Sequence, residues 1–305
     1  MGSNRAHARA ATARGATARA ALVGVVAVVL TLATACAPAE EPSPTGAAPG
    51  ESVGDEPPTS TPVHPAFALD HSALAELVGG SPAEVRGAVD ADPRGFLALV
   101  DAVLDEPSNR TVLVDKTTRL PESYVPADLV ELDTLSNELA LSRAGHRLTR
   151  DTVDALLEMS AAAGREGITL VVSSAYRSYA YQADLFERWV DELGLEQAER
   201  VSARPGTSQH QLGTAIDFGC ICGEFASQPA GIWLAEHAWR YGFSLSYPDG
   251  YEDVTGYSYE PWHFRYIGRD AARLEREYFQ AVQQWMLEFL HARRAELEAA
   301  RHDDR

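Results

Sequence analysis

The chain has 305 residues, 45% of them hydrophobic and 23% charged, which is enough to bury one or two cores and too apolar for a fully disordered protein. Its 26 basic residues stand against 44 acidic ones, a formal net charge of −18. With Lys116 as its only lysine, such a surface repels phosphate backbones, and nucleic-acid binding drops out as a function class.

Residues 1–35 carry Arg5, Arg9, Arg14 and Arg19 and no acidic residue. Ala20 to Leu32 follows as an uncharged apolar stretch, then small residues up to Cys36. A basic region, a short apolar core and a small-residue zone form the pattern of an export signal. The run stops short of the roughly 20 apolar residues that a membrane span needs. Leu32-Ala33-Thr34-Ala35-Cys36 resembles a bacterial lipoprotein box, with Ala33 where leucine is usual. The resemblance implies lipidation of Cys36 and an exported protein anchored to the outer face of the cell membrane. Cleavage near Ala35, giving a protein secreted to the cell wall, is the alternative. Residues 36–63, rich in Pro, Glu, Ser, Thr and Gly, offer little to bury and are expected to form a disordered tether.

Residues 64–108 carry short helical signals, Leu74, Leu77 and Val78, then Val85 and Val89, then Phe96, Leu97, Val100 and Leu104, with no evident chemistry. The main domain is expected over 109–268. Thr149 reads as an N-cap for a helix with Val153, Leu156, Leu157 and Ala161 on one stripe, closed by Gly164 and Gly167. Ile168–Val172 is a strand by composition, and a second helix is expected over Tyr179–Leu193, with Gln182 one turn before Phe186 on its apolar stripe. A third runs from Gly231 to Tyr241 and stops at Gly242. Strands are expected at Thr214–Phe218, Ser244–Tyr247 and Trp262–Tyr266. Residues 269–305 read as one long C-terminal helix through Leu274, Phe279, Val282, Met286 and Phe289. Together these predict an α+β fold, a small antiparallel sheet flanked by helices.

Of nine histidines, seven have an ordinary reading in the N-terminal segments, on helices or as isolated residues. His210 and His263 differ, because Asp217 follows the first and Glu260 precedes the second by three residues. Two imidazoles and one carboxylate suffice to hold a catalytic zinc with a position left open. Gly213 allows a tight turn after His210, and in the strand that follows Ala215 and Asp217 share a face. Glu260 is then close enough to exchange protons with a water at the metal. Spacing alone leaves a metal site and two ordinarily packed histidines about equally open. Cys220 and Cys222 cannot by themselves build a closed zinc site. Export favours pairing them and their short separation opposes it, so both states stay open.

The run Ser208-x-His210-x-x-Gly213-x-Ala215-x-Asp217, followed by Glu260-Pro261-Trp262-His263, resembles the signature of the VanY-like D-alanyl-D-alanine carboxypeptidases, zinc peptidases related to lysostaphin-type and hedgehog domains. Ser174-Ala175-Tyr176-Arg177-Ser178 with Gln182 matches that family's substrate-binding segment, and Val114-x-Lys116, Leu120-Pro121 and Tyr124-x-Pro126-x-Asp128-Leu129 match its N-terminal edge. The resemblance spans about residues 109–268. It implies one zinc ion on His210, Asp217 and His263, with Glu260 activating the water and Arg177 facing the oxyanion. It implies also that Ser208 and Gln182 hold the free C-terminal carboxylate of the substrate. The implied activity is removal of the C-terminal D-amino acid from peptidoglycan stem peptides. The same chemistry admits an L,D-carboxypeptidase, a D,D-dipeptidase or a cross-link endopeptidase, and the same fold admits a non-catalytic cell-wall binding module.

Overall fold

The computed structural model describes residues 61–302, so the export segment, Cys36 and nearly all of the tether expected over 36–63 lie outside the described residues. Seven strands are present among them: β1 Leu129–Glu131, β2 Ala140–Leu141, β3 Arg147–Thr149, β4 Val171–Ser174, β5 Ala215–Phe218, β6 Phe243–Leu245 and β7 His263–Tyr266. Ten α-helices accompany them: α1 His71–Leu77, α2 Ala83–Ala91, α3 Pro93–Asp105, α4 Arg150–Arg165, α5 Tyr179–Leu193, α6 Leu195–Val201, α7 Pro229–His237, α8 Glu252–Thr255, α9 Arg269–Tyr278 and α10 Gln283–Ala300. The long C-terminal helix expected from periodicity is therefore two helices. The apolar spacing runs unbroken across the corner because Phe279 and Val282 are both fully buried there. The turn itself is made by Gln280 and Ala281, both with φ 55°, and no glycine or proline marks it.

The expected strand at Ile168–Val172 is displaced toward the C-terminus, to β4. The sheet order is β2-β4-β5-β7-β6, antiparallel except for the parallel edge pair β2–β4, and β1 and β3 form a separate antiparallel pair. One face of the sheet carries Val172, Ile216, Phe218, Phe264 and Tyr266 into a core with Val153, Leu156 and Met159 of α4 and Trp233 and Leu234 of α7. The alternate residues of β5 and β7 are turned to the opposite face. Between Val172 and Ser174 the register shifts, so Val172 pairs with Phe218 while Ser174 comes opposite Asp217. Such a shift re-aims one side chain without disturbing the strand on its core side.

Residues 64–108 supply α1 to α3, and these share a second hydrophobic cluster with α9 and α10. Asp70 caps α1 by accepting from Ala73 N–H, and Asp92 caps α3 by accepting from Gly95 N–H, with Pro93 at the first helical position. Phe96 is the hub, with ring centroids 5.3 Å from Tyr278 and 5.7 Å from Phe289. The end of α10 is fastened to the start of the described chain, since Ala68 N–H donates to the Ala300 carbonyl and Arg301 pairs with Asp101 and Asp105. No helix of the described residues is long and apolar enough to cross a membrane.

Truncating Phe96 to Ala should cost about 3–5 kcal/mol of unfolding free energy in chemical denaturation, because the cavity opens at the centre of five helices. Glu275 of α9 is fully buried, and burial pushes its carboxyl up to about 8 despite Arg276 and a Ser244 contact. Raised in the folded state, it releases stability as pH climbs from the ordinary carboxylate range near 4.5 to about 8. Glu275→Gln should therefore be more stable than the parent, by a margin that grows across that window in thermal melts and levels off above it.

Candidate metal centre and active-site cleft

β5 and β7 pair in a register that sets Asp217 directly opposite His263, and the shifted β4 brings Ser174 alongside Asp217. His210 arrives from a 3-10 turn, Gln209–Leu212, that ends at Gly213 with φ 70°. A Cβ at Gly213 would lie 3.0 Å from Leu129 Cδ2 and 3.2 Å from Pro126 Cγ, so a side chain there would be strained by the backbone and crowded by its neighbours. The left-handed residue reverses the chain in one step and drops Asp217 beside His210.

One ligand atom from each of His210, Asp217 and His263 lies within 4.8 Å of the others, and all three residues are buried. His210 Nε2 is 3.2 Å from Asp217 Oδ2, and His263 Nδ1 is 3.0 Å from Asp217 Oδ1. Yet His210 Nε2 and Asp217 Oδ1 are buried with no aligned hydrogen-bond partner. Buried polar atoms that converge without bonding each other fit a shared metal ion, and two imidazoles with a carboxylate are the donor set of a catalytic zinc. The rear nitrogens are engaged elsewhere. His210 Nδ1 lies 2.7 Å from the Ala175 carbonyl and His263 Nε2 lies 3.4 Å from Gln209 Oε1. Those acceptors place the protons behind and the lone pairs in front.

Electrostatics agree with that assignment. Burial, aided by Arg177, pushes the His210 imidazole down to about 4, so it is neutral and able to ligate across the physiological range. Burial opposes ionisation of Asp217, but the two flanking imidazoles hold its carboxyl well below the usual range. Glu260 moves the other way. Burial first, then the Asp217 carboxylate, pushes it well above ordinary, with its Oε2 3.5 Å from His263 Nδ1.

Arg177 follows β4 and is positioned by its own backbone, whose N–H donates to the His210 carbonyl at 3.2 Å. Its Nη1 donates to Ser174 Oγ at 3.1 Å and lies 3.5 Å from Asp217 Oδ2, and its Nε donates to Gln182 Oε1 at 3.0 Å. Gln182 is buried, with its Nε2 spent on the Ala203 carbonyl at 2.7 Å. It stands behind Arg177 and does not line the cleft. Ser208 does line it, and its Oγ accepts from His210 N–H. Thus the structure brings together His210, Asp217, His263, Glu260, Arg177 and Ser208, with Gln182 one layer back, while Cys36 is outside the described residues.

The cleft measures about 260 Å³. Tyr181, Leu185, Trp189 and Val201 make an apolar wall, Arg143 also lines the cleft, and Tyr247 and Tyr257 lie with the candidate donor set, the Tyr247 ring 4.8 Å from that of His263. Cys220 and Cys222 are joined by a disulfide, and Ile221 between them lines the cleft with its side chain exposed. Sequence reasoning missed Tyr247, Tyr257 and Arg143, which lie in irregular segments where no periodicity points inward. Only the closeness of Tyr257 to Glu260 in the chain could have flagged one of them. Lys116 packs over the Tyr257 ring at 3.9 Å, which brings the N-terminal edge motif to the cleft.

The VanY: D-alanyl-D-alanine carboxypeptidase family profile matches residues 145–269. YodJ of Bacillus subtilis (strain 168), a provisionally named carboxypeptidase, is 37% identical over 193 residues, covering 59% of this chain and 70% of that protein. The LdcB LD-carboxypeptidase structure is 34% identical, covers 60% of this chain and 88% of its own, and superposes with a TM-score of 0.54. A variant of the vancomycin-resistance D,D-pentapeptidase VanY from a VanB-type cassette, solved with Zn(II), is 29% identical over 60% of this chain and 99% of its own, with a TM-score of 0.50.

Replacing Asp217 with Ala removes the carboxylate that faces both imidazoles. Zinc retained after dialysis, read by elemental analysis, should fall to background, and an undiminished content would mean that the three donors do not share an ion.

Proposed function

This chain belongs to the VanY D-alanyl-D-alanine carboxypeptidase family, and on that footing we propose that it is a zinc-dependent carboxypeptidase removing the C-terminal D-amino acid from peptidoglycan stem peptides. The observation that carries the reading is a buried His-Asp-His donor set with one more carboxylate, Glu260, against its edge, at the floor of a cleft that also holds Arg177. One zinc ion held by His210, Asp217 and His263 would supply a Lewis acid that makes a water acidic and polarises a carbonyl. Glu260 takes a proton from the attacking water and returns it to the leaving amine. Its raised affinity for a proton suits the second half of that exchange.

Arg177 donates to the carbonyl oxygen as charge develops there. Gln182, with its oxygen on Arg177 Nε and its amide on Ala203, serves better to aim that guanidinium than to touch substrate. Ser208, facing the cleft, takes the free carboxylate of the peptide. The acidic surface is no obstacle, because a metal and Arg177 make the floor locally positive. The N-terminal basic and apolar pattern and Cys36 support action outside the cell, as a lipoprotein on the outer face of the membrane or a secreted wall enzyme.

A second reading, an L,D-carboxypeptidase, is favoured by the likeness to LdcB, which exceeds that to the D,D-pentapeptidase in both identity and TM-score. Incubation with synthetic stem pentapeptide and tetrapeptide, with products identified by mass, tests both. Loss of the terminal residue from the pentapeptide is expected. Cleavage of the tetrapeptide alone would establish the second reading, and cleavage of neither would sink both. Glu260→Gln should retain zinc yet lose about 10²–10⁴ in turnover on whichever peptide is cut, and unchanged turnover would exclude its role in proton transfer.

A further inference from the structure

The metal ligand His263 is connected to the C-terminal helix by two buried glutamines. Gln209 Oε1 faces His263 Nε2 at 3.4 Å and accepts from Ser246 Oγ at 2.7 Å, while Gln209 Nε2 donates to Gln283 Oε1 at 3.0 Å. Gln283 is the first residue of α10, 1% exposed, and lies beyond the 145–269 stretch matched by the family profile. The corner that delivers it holds Gln280 and Ala281 in the left-handed region, a conformation that costs non-glycine residues energy and survives only where the surroundings enforce it. Its neighbour Gln284 donates to Asp115 Oδ2 at 2.8 Å, so the start of α10 is tied to the domain at two buried points.

The chemistry of the chain of contacts is directional. An amide presents one oxygen and one NH₂, and whichever group Gln283 engages decides which end of Gln209 faces His263. With Gln283 Oε1 accepting the Gln209 amide, the Gln209 oxygen is turned to His263 Nε2. The proton then resides on Nε2 and the Nδ1 lone pair points to Asp217 and the shared donor site. Reversing the Gln209 amide would present NH₂ to Nε2 and favour the tautomer whose Nδ1 is blocked by hydrogen. We propose that Gln283 is a positioning residue for the metal centre, holding Gln209 in the one orientation that leaves His263 Nδ1 free to ligate.

This inference rests on the reading of His263 as a zinc ligand, and a test by metal affinity keeps the two separable. In the full chain, zinc affinity measured by chelator competition should fall about tenfold for Gln283→Met, a near-isosteric change that removes the acceptor. Glutamate at position 209 accepts at either oxygen and needs no orienting partner. In a Gln209→Glu background, adding Gln283→Met should therefore leave zinc affinity within about twofold. A merely structural role for Gln283 predicts the same loss in both backgrounds, and that result would overturn the proposal. So would an unchanged affinity of the single Gln283→Met variant. If Gln283→Met fails to fold, Gln283→Glu, which keeps an acceptor, must match the parent affinity, and a tenfold loss there would equally overturn it. A parent protein that binds no zinc would overturn the metal reading itself.

Discussion

A carboxylate buried between two imidazoles is the constraint on which the rest of this structure depends. Asp217, His210 and His263 press three ligating atoms into one small volume, and burying such groups without a shared partner costs several kcal/mol. The fold meets that cost with rigid placement. Asp217 and His263 face each other across adjacent antiparallel strands, His210 is carried by a turn that closes on a left-handed glycine, and carbonyl or amide acceptors hold the rear nitrogens. Because the opposite face of the same strands is packed into the hydrophobic core, small shifts at the site would have to move the core as well.

Around this centre the charge is graded. Asp217 is held ionised by its imidazole neighbours, Glu260 next to it is pushed toward its protonated form, and Arg177 reaches in with a guanidinium already braced by Ser174 and Gln182. Two carboxylates with opposite tendencies and a fixed cation beside Asp217 are an arrangement suited to moving a proton while charge builds on a substrate oxygen. Tyr181, Leu185, Trp189 and Val201 set an apolar wall beside that polar floor, with Tyr181 and Val201 still exposed to solvent.

The helices at both ends of the described chain belong to the same body as the sheet. Helices α1 to α3 and α9 to α10 bury one cluster of aliphatic and aromatic side chains, with Phe96 against Tyr278, Phe279 and Phe289. From that layer the start of α10 touches the catalytic domain through Gln283 and Gln284. A helix that contributes nothing to the His-Asp-His cluster or the cleft wall thereby comes within two side chains of that cluster.

That His210, Asp217, His263, Glu260 and Arg177 gather at one cleft was legible chiefly because their short motifs resemble those of a known family; spacing and strand alternation alone left a metal site and two packed histidines equally open. The α+β class and the boundaries of α4 and α5 followed from periodicity and capping, which act locally, whereas the segment read as one helix from Gly231 to Tyr241 is α7 over Pro229–His237 with a 3-10 turn at Ala238–Tyr241 after it. What only the tertiary structure decided has long-range causes. The break at Gln280 and Ala281 carries no signal in the residue types, because the apolar stripe continues across it and neither glycine nor proline marks the left-handed corner, which closes by Ala281 N–H donating back to the Glu275 carbonyl. The parallel edge pair β2–β4 and the shift that brings Ser174 to Asp217 depend on strand pairing. Gln182 reads as an inward residue of α5 in either view, yet only packing shows its amide spent on Arg177 and Ala203. Sequence determines which chemical groups are available and which local turns they can make; which of them meet, and which end of an amide faces a ligand, is settled by contacts between residues tens of positions apart.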